Sequence, residues 1–163
     1  MNKMMQKFVD QNFCTEKEAE YILNAIDNKE TVMVSGHRSA GVRPFMATLM
    51  AIAKSQFPSV QVKSEADLEK DCEYFLIASI PNIDFEELMQ KAVATGKGIV
   101  TVKEPETPYS IMKILKKNFK ANGNIDQAYH MIECNKEDGI PFVQKVTKFT
   151  QNEKGKILKE DLE

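Results

Sequence analysis

The sequence lacks any apolar run long enough to cross a membrane. Its longest stretches, such as Tyr74-Phe75-Leu76-Ile77-Ala78, are strand-sized, against the roughly 20 residues a spanning helix needs. It also lacks a charge excess: 22 basic and 24 acidic residues leave a net charge of −2, with a pI of about 5.8. That excludes a global attraction to nucleic acid or anionic lipid. Cysteine is scarce: Cys14, Cys72 and Cys134 are far apart, show no CxxC or Cys/His spacing for zinc, and are odd in number. Reduced, packed thiols are expected. The opening Met1–Lys7 is followed by no apolar h-region, so no secretory signal is read and a cytoplasmic location is expected. No repeat, low-complexity tract or linker divides the chain, and residues 1–163 are read as a single domain.

What is present is the balance of a globular protein, 42% apolar and 28% charged. Residues 16–27 place Ala19, Ile22, Leu23 and Ile26 at helical spacing, and Thr15 with Glu18 forms a capping-box start. Thr31–Ser35 reads as a buried strand ending at Gly36, and an apolar helix follows Pro44 through Ala53. Further strands are expected at Val60–Val62, Tyr74–Ala78 and Ile99–Val102. Helices are expected over residues 84–95 and over Tyr109–Phe119. Residues 128–133 and 142–149, with a turn at 152–156, suggest an antiparallel edge. The alternation predicts an α/β fold: three layers, a mostly parallel sheet and a β-rich C-terminal edge.

Between the first strand and its helix lies Gly36-His37-Arg38-Ser39-Ala40-Gly41-Val42-Arg43, with the glycine spacing of a Walker A loop. In a working loop, backbone amides and the helix N-terminus cradle phosphate, a lysine follows the second glycine, and a hydroxyl then holds Mg²⁺. Here those two positions carry Val42 and Arg43.

With these features the chain resembles the motor domain of the type II and type IV secretion and pilus ATPases, over roughly residues 13–150. Phe13–Gly36 is similar to the segment leading into that family's phosphate loop. Val62–Glu69 resembles its acidic box, with Glu65 at the catalytic glutamate, and Tyr74–Ser79 resembles its Walker B strand. Phe85–Gly96 followed by Ile99–Lys103 resembles the helix and strand that lead to its histidine box. The resemblance implies a P-loop NTPase type of fold and relatives that work as hexamers, so a homo-oligomer is one expected state.

The departures fall on the chemistry. Beyond Val42 and Arg43, the Walker B acid is replaced in Ala78-Ser79, and Lys103 stands at the box histidine. Glu65 is retained and is the lesser catalytic candidate, but phosphoryl transfer needs metal and charge-stabilising groups placed together. The expected function is a catalytically inactive binding or regulatory module in a secretion, conjugation or mobile-element setting, with a protein partner. Two alternatives stay open: weak nucleotide or phosphate binding by residues 36–43 without Mg²⁺, and residual NTPase activity. For the loop, the anion reading places a nest beside Gly41 and Arg43, and the plainer one leaves Arg38 and Arg43 solvated. His37 reads as an exposed loop histidine, and Ser39 as a hydroxyl without a partner base. Lys103 and Glu104 read as a local ion pair. The Lys113-Lys116-Lys117-Lys120 face reads as solvated rather than as a nucleic-acid surface.

Overall fold

Thr15 and Glu18 cap each other as their spacing predicts. The Thr15 hydroxyl accepts from the Glu18 amide at 3.0 Å, and the Glu18 carboxylate accepts from the Thr15 amide at 2.8 Å. The helix that follows, α2 (Glu16–Asp27), buries Ala19, Ile22, Ala25 and Ile26. The computed structural model describes residues 1–163. It places a short helix α1 (Lys3–Asp10) ahead of α2, which the sequence reading did not assign; Asn2 caps it and Met5 is its buried residue. The chain continues β1 (Thr31–Ser35), α3 (Val42–Gln56), β2 (Ser59–Gln61), β3 (Tyr74–Ile77), α4 (Phe85–Ala94) and β4 (Gly98–Lys103). It ends with α5 (Ile111–Asn122), β5 (Tyr129–Glu137), β6 (Ile140–Gln151) and β7 (Ile157–Asp161).

The seven strands form one mixed sheet in the order β2-β3-β4-β1-β5-β6-β7. The run from β2 to β5 is parallel, and β6 and β7 add an antiparallel edge. This is an α/β architecture. Successive residues Val32, Met33 and Val34 are all fully buried, so both faces of β1 are covered, as its unbroken apolar run implies. The connection from β1 to β2 runs one way along the sheet, and those from β3 to β4 and β4 to β5 run the other. Right-handed crossovers therefore put α3 on one face and α4 and α5 on the opposite one, in keeping with the contacts of α2 with α3 and of α4 with α5. One apolar cluster of 42 buried residues runs through these layers.

Local chemistry sets two boundaries that differ from expectation. Helix α5 starts at Ile111 rather than Tyr109, because the Ser110 side chain accepts from Lys113 N and caps it there. Tyr109 stays outside the helix and its ring packs 5.8 Å from that of Phe85. Strand β2 is Ser59–Gln61, one residue earlier than read. Gly98 opens β4 without a side chain because the Tyr74 ring occupies that space: an added Cβ would lie 2.6 Å from it. No helix is long and apolar enough to cross a membrane.

Candidate functional site

The glycine loop sits at the carboxyl end of β1, between β4 and β5. The chain departs from β1 towards one edge of the sheet and later crosses it from β4 to β5, so this is a topological switch point, where open α/β sheets place their ligands. Both glycines are in conformations that disfavour side chains. Gly36 has φ 140°, and a Cβ there would lie 2.7 Å from the Cys134 carbonyl oxygen. Its amide donates to the Lys103 carbonyl at 3.0 Å. Gly41 has φ 77° and starts α3; a Cβ there would meet the Phe13 ring at 3.0 Å and Pro141 at 3.3 Å. Between them Arg38–Ala40 form one 3-10 turn, closed by the Ala40 amide donating to His37 O at 2.9 Å.

The side chains of the loop are committed inward and sideways. Ala40 is 3% exposed and Val42 is fully buried in the core cluster. Arg43 makes a two-pronged contact with Glu104, Nε to Oε2 at 3.2 Å and Nη2 to Oε1 at 3.3 Å. The Glu104 side chain has no exposed surface, whereas that of Arg43 is 45% exposed. The hydrogen bonds Arg43 donates to Glu104, then the charge of Glu104, raise the Arg43 pKa further above its ordinary value. Arg38 lies 3.8 Å from Glu106 on the same β4–α5 connection. The two loop arginines thus bridge the crevice to a pair of acids.

Two expectations change here. The Lys103–Glu104 ion pair does not form, because Glu104 is turned to Arg43; the Lys103 ammonium lies 5.8 Å from the centroid of the Tyr109 ring instead. Ser39 does have a partner imidazole: its hydroxyl is 2.8 Å from His37 Nδ1, which also accepts the Ser39 amide at 3.1 Å. That pairing caps the 3-10 turn, and no carboxylate orients the ring as a relay would require. Glu65 lies in a separate 3-10 turn (Glu65–Glu69), where Lys91 of α4 pairs with it at 2.6 Å. On α5, Lys113 pairs with Glu86 at 3.6 Å.

Sequence reasoning missed a polar triad centred on buried His130, at the amino-terminal ends of the strands. The Tyr21 hydroxyl lies 2.8 Å from His130 Nδ1, and His130 Nε2 lies 2.7 Å from the Glu30 carboxylate. The carboxylate accepts, so Nε2 carries a proton; in the neutral ring, which burial favours, Nδ1 accepts from Tyr21. Burial lowers the His130 pKa, opposed by the hydrogen bond and charge of Glu30. The partners are about 100 residues apart in sequence, and the one local cue is a histidine inside an apolar strand. No group of three or more His, Cys, Asp or Glu side chains is gathered as a metal-binding cluster. No protein-family model matches the chain, and no curated protein matches it in sequence.

Proposed function

We propose that this chain is a catalytically inactive domain of the secretion and pilus motor type, with a P-loop NTPase kind of sheet, whose phosphate loop has become a packed joint. Its role is to bind a protein partner in a secretion, conjugation or mobile-element setting rather than to turn over nucleotide. One observation carries the reading: Arg43, at the place of the metal-binding hydroxyl, is tied through two hydrogen bonds to the buried Glu104. A guanidinium so engaged has one edge, Nε and Nη2, committed to the carboxylate, and releasing it would leave a buried carboxylate without its cation. Val42, at the lysine position, faces the core. The groups that phosphoryl transfer requires are therefore absent or turned elsewhere. The placement of the loop after the central strand β1, and of the Walker B-like strand β3 beyond β4, supports the motor resemblance.

The test is turnover. Purified protein with Mg-ATP or Mg-GTP should release no phosphate above background, and calorimetry with Mg-ATP should give no binding heat. Reproducible hydrolysis abolished by Glu65→Gln would sink the reading and restore the acidic box as catalytic.

A second reading has its own support: Arg38 and Arg43 are each about half exposed (55% and 45%) beside the start of α3. On that reading residues 36–43 take phosphate or a nucleotide phosphate weakly and without Mg²⁺. Saturable shifts of the Gly41 amide resonance with phosphate, weakened by Arg43→Ala, would favour it over the packed joint.

A further inference from the structure

On the sheet face opposite α3, a cavity of about 260 Å³ lies at the carboxyl ends of β1, β4 and β5, under the first turn of α5. Its floor is set by strand register. Ser35 stands beside Lys103 of β4 and Glu133 of β5, and the alternate residue His130 points the other way, to Tyr21 of α2. Lys103 and Lys159 line it, and neither ammonium has a carboxylate partner among the ion pairs of the molecule. Each is instead 5.8 Å from the centroid of an aromatic ring, Lys103 over Tyr109 and Lys159 over Phe149. Met131 adds apolar surface. Tyr109, 5% exposed, also carries the one buried side-chain oxygen without a hydrogen-bond partner, in a molecule whose other buried side-chain polar atoms are satisfied.

We propose that this cavity binds a small organic anion, an apolar body about one ring in size bearing a carboxylate or a phosphate monoester. Two cations held over ring faces, without bound counter-charges, give an oxyanion a pair of charge-assisted partners. The helix field at the start of α5 has the same sign. Phe149, Met131 and Tyr109 offer an apolar wall for the body of the ligand, and the volume lies just below the range of roughly 300–1,000 Å³ typical of drug-sized ligands. Glu133 on the same floor opposes polyanions, so a nucleoside triphosphate is disfavoured where a singly or doubly charged ligand is not. The site is separate from residues 36–43 and stands whether or not that loop takes an anion.

The full chain, labelled at its methionine methyl groups, tests this by NMR titration with phenyl phosphate, benzoate, inorganic phosphate and benzyl alcohol. Met112 and Met131 both line the cavity and report on it. Phenyl phosphate or benzoate should shift both methyls saturably, and the tighter of the two identifies the anionic group. Lys103→Gln and Lys159→Gln should each weaken that binding about tenfold while leaving remote methyls unmoved, the scale of one charge-assisted contact. Inorganic phosphate and benzyl alcohol should bind far more weakly. The proposal is overturned by the absence of saturable shifts with either organic anion, by benzyl alcohol or inorganic phosphate binding as well as they do, or by unchanged affinity in both lysine variants.

Discussion

Restoring the missing lysine distinguishes a packed loop from an open one. Val42 has no exposed surface, belongs to the core cluster, and stands against Gly36, whose added Cβ would lie 3.3 Å from Val42 Cγ2. Val42→Lys therefore removes a valine worth about 1.5–3 kcal/mol of burial. It also asks an ammonium to enter that space. Shedding the proton of an ordinary lysine, pKa about 10.4, costs about 4–5 kcal/mol at pH 7. Together these approach the whole stability of an ordinary domain, about 5–15 kcal/mol. If the lysine stem bends out to solvent, the loss falls towards the valine term alone. Urea denaturation is the assay, with Val42→Ala as the control, expected to lose about 1.5–3 kcal/mol. A Val42→Lys protein as stable as wild type, and stabilised by Mg-ATP, would refute the packed-joint argument.

Four further outcomes follow from contacts elsewhere in the fold. Gly98→Ala should lower the urea midpoint by an amount equivalent to about 1–3 kcal/mol, because its Cβ would lie 2.6 Å from the Tyr74 ring and 2.9 Å from the Lys29 carbonyl; an unchanged midpoint would show that the ring yields freely. Tyr21→Phe should lose about 1–2 kcal/mol by leaving buried His130 Nδ1 without its donor. Because the folded pKa of His130 is lowered from 6.5, the unfolded chain binds that proton more readily, so its contribution is full above about pH 6.5 and is lost as pH falls through that value towards the folded one. Urea midpoints from pH 8 to 5 should show this slope, and His130→Gln should flatten it; equal slopes in both proteins would dismiss the linkage. Burial pushes Cys14 up to about 11 and Cys134 up to about 12, and raises Cys72 as well. A thiol reagent at pH 8 should therefore label the three cysteines only after unfolding, and rapid labelling of the native protein would contradict their burial.

The elements that the sequence displays are those whose causes are local. The Thr15–Glu18 box, the unbroken Thr31–Ser35 run and the Gly36 break act within a few residues, and each appears where it was read. Helix α1 went unread although Met5, Phe8 and Val9 are spaced for a helix. It has 8 residues and one fully buried side chain, so it is held by packing, including the edge-to-face contact of Phe8 with Phe45 at 5.0 Å. The antiparallel edge was legible from residues 128–133 and 142–149 and the turn at 152–156, where Asn152 N donates to Lys156 O at 3.0 Å, but β7 beyond that turn was not read as a strand. The β5–β6 pairing also carries a register shift between Glu133 and Cys134, which no sequence signal announced.

The candidate loop divides the same way. Its two glycines could be read as positive-φ positions because that demand is intrinsic to the backbone. Its state is decided elsewhere. Glu104, 61 residues on, determines where Arg43 points. The Cys134 carbonyl closes over Gly36, and Pro141 with Phe13 closes over Gly41. The Phe13 carbonyl in turn accepts the Val143 amide at 2.7 Å, which ties the segment before α2 to the β5–β6 hairpin. An arginine beside a helix N-terminus has the charge to receive phosphate, but that charge is available only if no buried carboxylate has already taken it. Here the carboxylate is Glu104, its side chain without exposed surface, and desolvation makes giving up its cation costly. Glu104→Gln removes that hold while keeping the shape. If the packed joint is right, the variant should let phosphate shift the Gly41 amide where the wild type does not, and silence in both proteins would mean that the backbone, rather than the ion pair, closes the loop.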